Sequence, residues 1–310
     1  IYNEGYWVEN NQLFGMERWL EEALTQYGQY LYNGKYTRNL DEFIKKPDTI
    51  LVEDRVNEVW LGPSPYANYG ASFLWIFYLV EKYGGSNVSN FLRNIIRNRD
   101  GAIASIDNVL APFNTDMKSV FADWAIANYL NKTRKNDGST LNDGKWGYNV
   151  DNDFDTTNDL GVDERLPVRF SEKVILTSPI TARSSNVNPW AADYVEISGN
   201  TGNLNLGFDG NDLSQFNAAV IKRGPEVDAA VDFMYLNDKQ AGNLIIENYG
   251  SGGTYENLVF VPMVVANANY EKISYVYSMS FDDLKVAIFP NPVSYTHLRA
   301  HETVLDLVCR

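Results

Sequence analysis

The chain has 310 residues, 45% of them hydrophobic, and a formal net charge of −14. This length and apolar content are enough for two hydrophobic cores, so we predict two domains. The acidic charge disfavours contact with phosphate backbones and anionic lipids, and we expect no nucleic acid partner and no lipid partner. Because the sequence contains no run of about 18 apolar residues, we also predict no membrane span.

The two ends of the chain are interpreted separately from the rest. Residue 1 is Ile, and the first residues lack the charged and apolar segments of a signal peptide, so we expect the natural N-terminus to lie upstream. Residues 293–310 read VSYTHLRAHETVLDLVCR, and their first eleven residues resemble one reading frame of a DNA-sequencing adapter. We interpret this tail as an artefact, with a natural strand and helix as the alternative. His297, His301 and Cys309 lie in it, and the chain has no other histidine or cysteine.

Apolar residues at helical spacing are typical of residues 1–135, which we predict to be helical. The first strong pattern predicts a helix over Met16–Tyr32 that ends at Gly34. Glu21 and Glu22 stand at the two borders of its apolar face.

Later segments of this helical part differ in their patterns. Ser72–Val80 is almost wholly apolar, which predicts a buried central helix. Residues 37–68 contain three prolines and predict a loop, with one short helical stretch near Val52–Val59. Ser86 and Thr115 are predicted to cap two further helices, because a hydroxyl oxygen can bind the free N–H groups of a first turn.

Residues 136–165 are rich in Asp, Asn and Gly, and we interpret them as a polar linker. Asp151, Asp153 and Asp155 place carboxylates at alternate positions, as in a calcium-binding loop. Thr156 stands where an EF-hand loop requires glycine, so we favour the linker over a calcium site.

Residues 166–283 change to short β-rich runs that are separated by turn residues at intervals of about ten positions. The runs are VRFSEKVILT, DYVEISG, LNLGFDG, FNAAVIK, VDFMYLN, NLIIENY, LVFVPMVVAN and ISYVYSMS. They predict a β-sandwich of the jelly-roll or immunoglobulin-like kind. With the helical part before it, the sandwich predicts an α+β multidomain chain.

One chemical pattern lies on the first predicted helix, in ERWLEEALTQYGQYLY over Glu17–Tyr32. Its Trp-Leu-Glu-Glu-Ala-Leu-Thr run resembles the glutamate helix of gluzincin zinc metallopeptidases, the clan of thermolysin and the aminopeptidase-N-like enzymes. The resemblance implies that Glu22 is the third protein ligand of a catalytic zinc. The alternatives are that Glu21 is the ligand, because the family has Asn and Gly where this chain has Glu21 and Ala23, or that Glu22 is an ordinary solvent-facing carboxylate.

The same resemblance implies that residues 1–135 are the helical C-terminal half of a metallopeptidase catalytic domain. Its other zinc ligands and general base would belong to an HExxH motif upstream, which this chain lacks. We therefore expect the chain to be inactive by itself.

A second resemblance lies in PYANYGASFLWIFYLVEKYGG, residues 65–85. It is similar to a later helix of the same family, in which a tyrosine before an apolar run points at the substrate carbonyl. Aligned on Tyr78, the resemblance implies Tyr69 as this catalytic tyrosine, with Tyr66 as the second match. Aromatic packing at a helix start is the alternative for both.

Residues 284–292 read LKVAIFPNP and are similar to the opening of the C-terminal sorting domain of type IX secretion. This resemblance implies export to the bacterial cell surface or the medium. A proline-ended loop after a sandwich is the alternative.

The resemblances together imply a secreted metalloendopeptidase that hydrolyses peptide bonds through a zinc-bound water, with Zn as cofactor and a peptide or protein as substrate. The competing function is a non-catalytic extracellular module, in which the sandwich binds glycan or protein through exposed aromatic side chains. In that case the helical part is structural.

Overall fold

The computed structural model describes residues 8–9, 12–13, 17–34, 38–52, 65–98, 101–149, 166–265 and 271–281. In these residues helices precede a β-sandwich, which confirms the predicted α+β class. The helices are α1 (Arg18–Asn33), α2 (Asn39–Lys45), α3 (Tyr66–Tyr83), α4 (Val88–Arg97), α5 (Ala102–Leu110) and α6 (Met117–Leu130). The strands are β1 (Val8–Glu9), β2 (Gln12–Leu13), β3 (Glu172–Ile175), β4 (Ile180–Val187), β5 (Val195–Ser198), β6 (Thr201–Gly210), β7 (Phe216–Arg223), β8 (Ala230–Phe233), β9 (Ala241–Gly250), β10 (Asn257–Val264) and β11 (Ile273–Phe281).

Helices α1 and α3 form as the sequence predicts. Gly34 ends α1 at a φ of 66°, and its N–H donates to the carbonyl of Tyr30 over 2.8 Å. Glycine adopts this left-handed conformation without the steric cost of a side chain. In α3, residues 71–80 are all buried, so the predicted central helix is confirmed.

The caps of α4 and α6 differ from the prediction. Asn87 and Asp116, rather than Ser86 and Thr115, accept a hydrogen bond from the backbone N–H three residues later, over 3.0 and 2.8 Å. Both true caps stand directly before the first helical residue, where a side-chain oxygen reaches the free N–H groups. The predicted caps are each wrong by one residue.

Helix α2 lies inside the segment that was predicted to be a loop, so that prediction is wrong over Asn39–Lys45. Leu40, Phe43 and Ile44 are buried at helical spacing, and this apolar face holds the short helix against α3. Of the stretch near Val52–Val59, the residues after Val52 lie outside the described residues.

Strands β3 to β11 form two sheets, which confirms the predicted sandwich. The five-stranded sheet has the order β3-β5-β10-β7-β8, and the four-stranded sheet has the order β4-β11-β6-β9. Among the described strands of these sheets, β3 and β5 pair in parallel and the other neighbours are antiparallel. Phe260 of β10 lies opposite Val195 of β5 and Val220 of β7. The jelly-roll or immunoglobulin-like kind stays a prediction.

The central strand of the five-stranded sheet, β10, is buried on both faces. Along β10, Val259 and Val261 belong to the core beneath the helices, whereas Leu258 and Phe260 belong to the core between the two sheets. Alternate residues of a strand point to opposite faces, so one strand serves both cores. The described residues therefore form three layers, with the helices on one side of a shared sheet.

Aromatic rings join the helical layer to the segment that leads into β5 of this sheet. Phe121 of α6 packs edge to face with Trp190 at a centroid separation of 5.6 Å, and Tyr129 stacks on Tyr194 at 6.1 Å. The buried hydroxyl of Tyr194 also donates to the carbonyl of Ala125 in α6 over 2.8 Å. The two layers thus share a hydrogen bond in addition to apolar contact.

Polar side chains close one border of the sandwich. Glu172 of β3 accepts a hydrogen bond from the Tyr277 hydroxyl over 2.7 Å and forms an ion pair with Arg183 of β4. Strands β3 and β4 are the outermost strands of their respective sheets on this side. Glu172 therefore connects the two sheets at their edge.

The first part of the predicted linker folds back on the helices. The hydroxyl of Tyr78 in α3 donates to the carbonyl of Lys145 over 2.8 Å, and buried Tyr148 donates to Asn128 over 2.5 Å. The remaining parts of the sequence predictions, namely 150–165 with the three candidate calcium carboxylates, 284–292 and 293–310, lie outside the described residues.

Candidate functional site

Glu22 lies on α1 at the border between the buried and the exposed face. Trp19 and Ala23, which lie on the same side of Glu22 around the helix, are fully buried and fix α1 against the core. Glu22 itself is partly exposed. Burial raises the pKa of its carboxyl, whereas nearby Arg18 lowers that pKa by a smaller amount and Glu21 raises it slightly. The helix therefore presents the Glu22 carboxylate at a fixed position on the edge of the core.

Tyr69 lies in the first turn of α3. Its N–H donates to the carbonyl of Pro65 over 3.1 Å, and its carbonyl accepts from the Ser72 hydroxyl over 3.0 Å. The side chain is partly buried and packs against the core of the helical layer. Tyr66, the second candidate, is 55% exposed. Tyr69 is thus the more firmly held of the two tyrosines.

Asn39 of α2 stands between the segments that carry Glu22 and Tyr69. Its side-chain amide donates to the amide oxygen of Gln26, which is one turn after Glu22 on α1, over 3.4 Å. Its carbonyl touches the backbone of Gly70, where a Cβ would lie 2.1 Å from the Asn39 oxygen. Glu22 is one helical turn before Gln26, and Tyr69 directly precedes Gly70. Asn39 therefore contacts a near neighbour of each candidate residue.

The described residues alone do not fit a complete zinc site. A catalytic zinc binds three protein ligands and keeps one open position. Among the described residues, no group of three or more His, Cys, Asp or Glu side chains could hold a metal ion. Glu22 offers one carboxylate, and His297 and His301 lie outside the described residues.

Two neighbouring carboxylates, that of buried Asp193 and that of partly buried Asp48, were missed by the sequence analysis. Asp193 accepts a hydrogen bond from the Tyr275 hydroxyl over 2.7 Å, and burial raises its pKa to about 6. Asp48 accepts from the backbone N–H of Asn188 and from Lys272, both over 2.7 Å. These partners are far apart in sequence, so no local pattern could reveal them.

None of the helices in the described part of the chain combines the length and the apolar character that a bilayer crossing needs.

Comparisons with known proteins add little to this geometry. No family model and no curated protein matches the chain. A solved structure, the pre-peptidase C-terminal domain of a collagenase from Bacillus anthracis, is weakly similar to it, with a TM-score of 0.27 and 7% sequence identity. The similarity covers 36% of this chain and 97% of that domain. At this TM-score it carries no argument about the fold or the function.

Proposed function

We propose that the chain is part of a secreted zinc metallopeptidase of the gluzincin type, with Glu22 as a zinc ligand and Tyr69 as the oxyanion donor. The observation that carries the proposal is the Trp-Leu-Glu-Glu-Ala-Leu-Thr run on a single helix, α1. Its apolar members Trp19 and Ala23 are buried, while Glu22 remains partly exposed. A ligand carboxylate needs this combination of a rigid backbone and an accessible oxygen.

The surroundings of the two candidate residues support this proposal. Asn39 contacts both Gln26, one turn after Glu22, and Gly70, the neighbour of Tyr69. In the proposed site, Glu22 would bind the zinc and Tyr69 would donate a hydrogen bond to the negatively charged oxygen of the tetrahedral intermediate. The burial that raises the pKa of Glu22 would then be opposed by the charge of the cation.

The zinc would polarise water for attack on the peptide carbonyl when it is bound. Its two remaining protein ligands have to come from outside the described residues, because those residues offer no complete ligand set. The proposal therefore concerns the roles of Glu22 and Tyr69 in a site that other segments complete.

The test uses the protein expressed from its complete gene and compares Glu22→Gln with Glu21→Gln. Because adjacent helix residues point about 100° apart, only one of the two carboxylates can face the same metal. Loss of an outer-shell partner alone costs about 10- to 100-fold in metal affinity, so we expect Glu22→Gln to lower zinc affinity by more than about 100-fold. Glu21→Gln is expected to leave bound zinc and casein hydrolysis unchanged.

The outcomes separate the possible assignments. Zinc loss in Glu21→Gln alone would move the ligand to Glu21, and zinc-replete activity in both variants would refute the metal-ligand role of this helix. In the same assay, Tyr69→Phe should lower kcat by roughly 100-fold with zinc retained, as expected for removal of one oxyanion donor. Tyr66→Phe is its matched control.

A second candidate function is supported by the surface of the sandwich. Phe233 of edge strand β8 is 47% exposed, and Tyr235 just after it is 85% exposed. Exposed aromatic rings on an extracellular module can bind glycan or protein. A zinc-free protein that loses ligand binding on Tyr235→Ala would favour this function over the peptidase.

A further inference from the structure

A cleft of about 920 Å³ opens on the helical layer between α4 and α5. The end of α3 and the turn that follows α5 complete its walls, with Tyr83 and Phe113 as their main side chains. Its volume is in the range of small-molecule sites. None of the residues proposed for zinc chemistry lines it.

Side-chain amides form a stripe along one wall of the cleft. The cleft is lined by Asn90 and Asn94 of α4 and by Asn87 and Asn98, which stand directly before and after the helix. The four asparagines follow one another at spacings of three, four and four residues. This spacing places them on one face of the helix, over a length of about 16 Å. Asn108 of α5 faces the cleft from the other wall.

Three of these amides are accessible to a ligand. The side chains of Asn90, Asn94 and Asn108 are exposed and form no hydrogen bond with another described residue. Each carboxamide provides two N–H donors and one carbonyl acceptor. The cleft therefore offers donors and acceptors side by side.

An aromatic platform adjoins the amides. The Phe113 ring packs edge to face against Tyr83 at a centroid separation of 5.1 Å and remains 50% exposed. An exposed aromatic ring beside the amides of Asn90, Asn94 and Asn108 lets a ligand place an apolar face and polar edges on the same site.

The cleft also lacks the acidic character of the chain. The sequence carries 40 acidic side chains, yet no carboxylate is among the described residues that line the cleft. Arg97 is the lining residue with a formal charge, and it already has a partner. Because Arg97 already has a partner and the other lining residues are uncharged, the lining favours an uncharged ligand.

We propose that this cleft binds a neutral oligosaccharide. Each sugar hydroxyl both donates and accepts, as a carboxamide does, and the C–H face of a sugar ring can lie on Phe113. The length of the Asn stripe suits several sugar units rather than one. A peptide is the less suitable ligand, because helical walls offer no free strand edge and the amide stripe is not an apolar groove.

The proposal goes beyond the peptidase function and is tested separately from it. Neutral gluco-, xylo-, manno- and N-acetylchito-hexaoses are titrated into the full chain by isothermal calorimetry. We expect one of these series to bind, and Asn94→Ala and Phe113→Ala each to weaken that binding about tenfold or more, as loss of a main contact does. Arg93→Ala, which alters an exposed residue of α4 outside the cleft, is the matched control and should change affinity less than about twofold.

Three results would overturn the proposal. One is the absence of binding by all four series at millimolar concentration, and another is binding that Asn94→Ala leaves intact. The third is binding lost in Tyr235→Ala but not in the cleft variants, which would place the glycan on the sandwich. Asn94 is exposed on a helix, so its variant should fold, and circular dichroism verifies this independently for Phe113→Ala. Zinc content plays no part in any of these outcomes.

Discussion

Burial is the main cause of the raised pKa of the Asp193 carboxyl group, which lies near Asp48 in the loop after α2. Asp193 is 3% exposed, and its pKa of about 6 follows mainly from the loss of water, with the negative charge of Asp48 adding to the effect. The Tyr275 hydroxyl opposes the rise by donating to the carboxylate. Asp193 therefore holds its proton more tightly in the folded protein than in the unfolded chain.

This difference predicts a pH dependence of stability. Between the ordinary pKa of 3.8 and about 6, unfolding releases the proton of Asp193, so a rise in pH favours the unfolded chain. The contribution is fully present below about pH 4 and is lost as the pH passes about 6, with a total of about 3 kcal/mol. Urea denaturation of the parent and of Asp193→Asn at pH 4, 5, 6 and 7 measures it.

Asp193→Asn keeps all other titrating groups of the chain, so it serves as the control for their contribution to the pH dependence. We expect the difference in unfolding free energy between Asp193→Asn and the parent to shift in favour of the variant as the pH rises. A difference that stays constant across this range would show that Asp193 titrates at its ordinary pKa. The sequence could not predict this residue, because its partner Tyr275 lies 82 positions away.

Local sequence patterns predicted the helices and strands whose apolar residues are spaced to match their buried face. α1 and α3 have clear apolar patterns, and the predicted β-rich runs coincide with strands of both sheets. Strand β4 was missed because most of its residues are exposed and polar, so no alternation marks it. Helix α2 was missed because its seven residues carry too little periodicity to outweigh the three prolines that follow them in the same segment.

The contact between α2 and α3 predicts opposite effects for two glycine substitutions. A Cβ on Gly70 would lie 2.1 Å from the Asn39 carbonyl oxygen, so Gly70→Ala has to separate the helices. We expect it to lower the free energy of unfolding by about 1–3 kcal/mol. Gly28→Ala is the control, because a Cβ there meets nothing within 4 Å and the residue is exposed on α1.

Gly28→Ala should raise stability by about 0.5–1 kcal/mol through helix propensity. Thermal or urea unfolding of the two variants gives the comparison. If Gly70→Ala were as stable as Gly28→Ala, the close approach of Asn39 to α3 would be wrong, and with it the link between the Glu22 and Tyr69 segments.

At the scale of the whole molecule, the shared sheet makes the helical layer and the sandwich dependent on each other. Val259 and Val261 pack under the helices while their neighbours Leu258 and Phe260 fill the sandwich. The sequence predicted both halves, but the continuous apolar run LVFVPMVV gave no indication that its second face belongs to the helices. Which layer covers a strand depends on contacts between distant segments.

The hydrogen bond between the layers predicts a specific loss of stability. Tyr194→Phe removes the donor to the Ala125 carbonyl and should lower the free energy of unfolding by about 0.5–1.5 kcal/mol. Tyr249→Phe is the matched control, because that buried hydroxyl has no hydrogen-bond partner among the described residues, and its loss should be neutral or stabilising. Denaturant titrations followed by far-ultraviolet circular dichroism and by tryptophan fluorescence should show one common transition in both variants. Separate transitions would indicate that the layers unfold independently.

The contacts of Glu172 with Tyr277 and Arg183 affect the association of copies of this chain at high concentration. The outermost strand of a sheet carries unpaired N–H and C=O groups, on which a foreign strand can build an aggregate. Because Arg183 and Glu172 join β3 to β4 at this rim, an incoming strand would first have to strip water from both charges or break their pairing. At this border of the sandwich the charge pairing therefore disfavours the addition of a strand from a second copy of the chain.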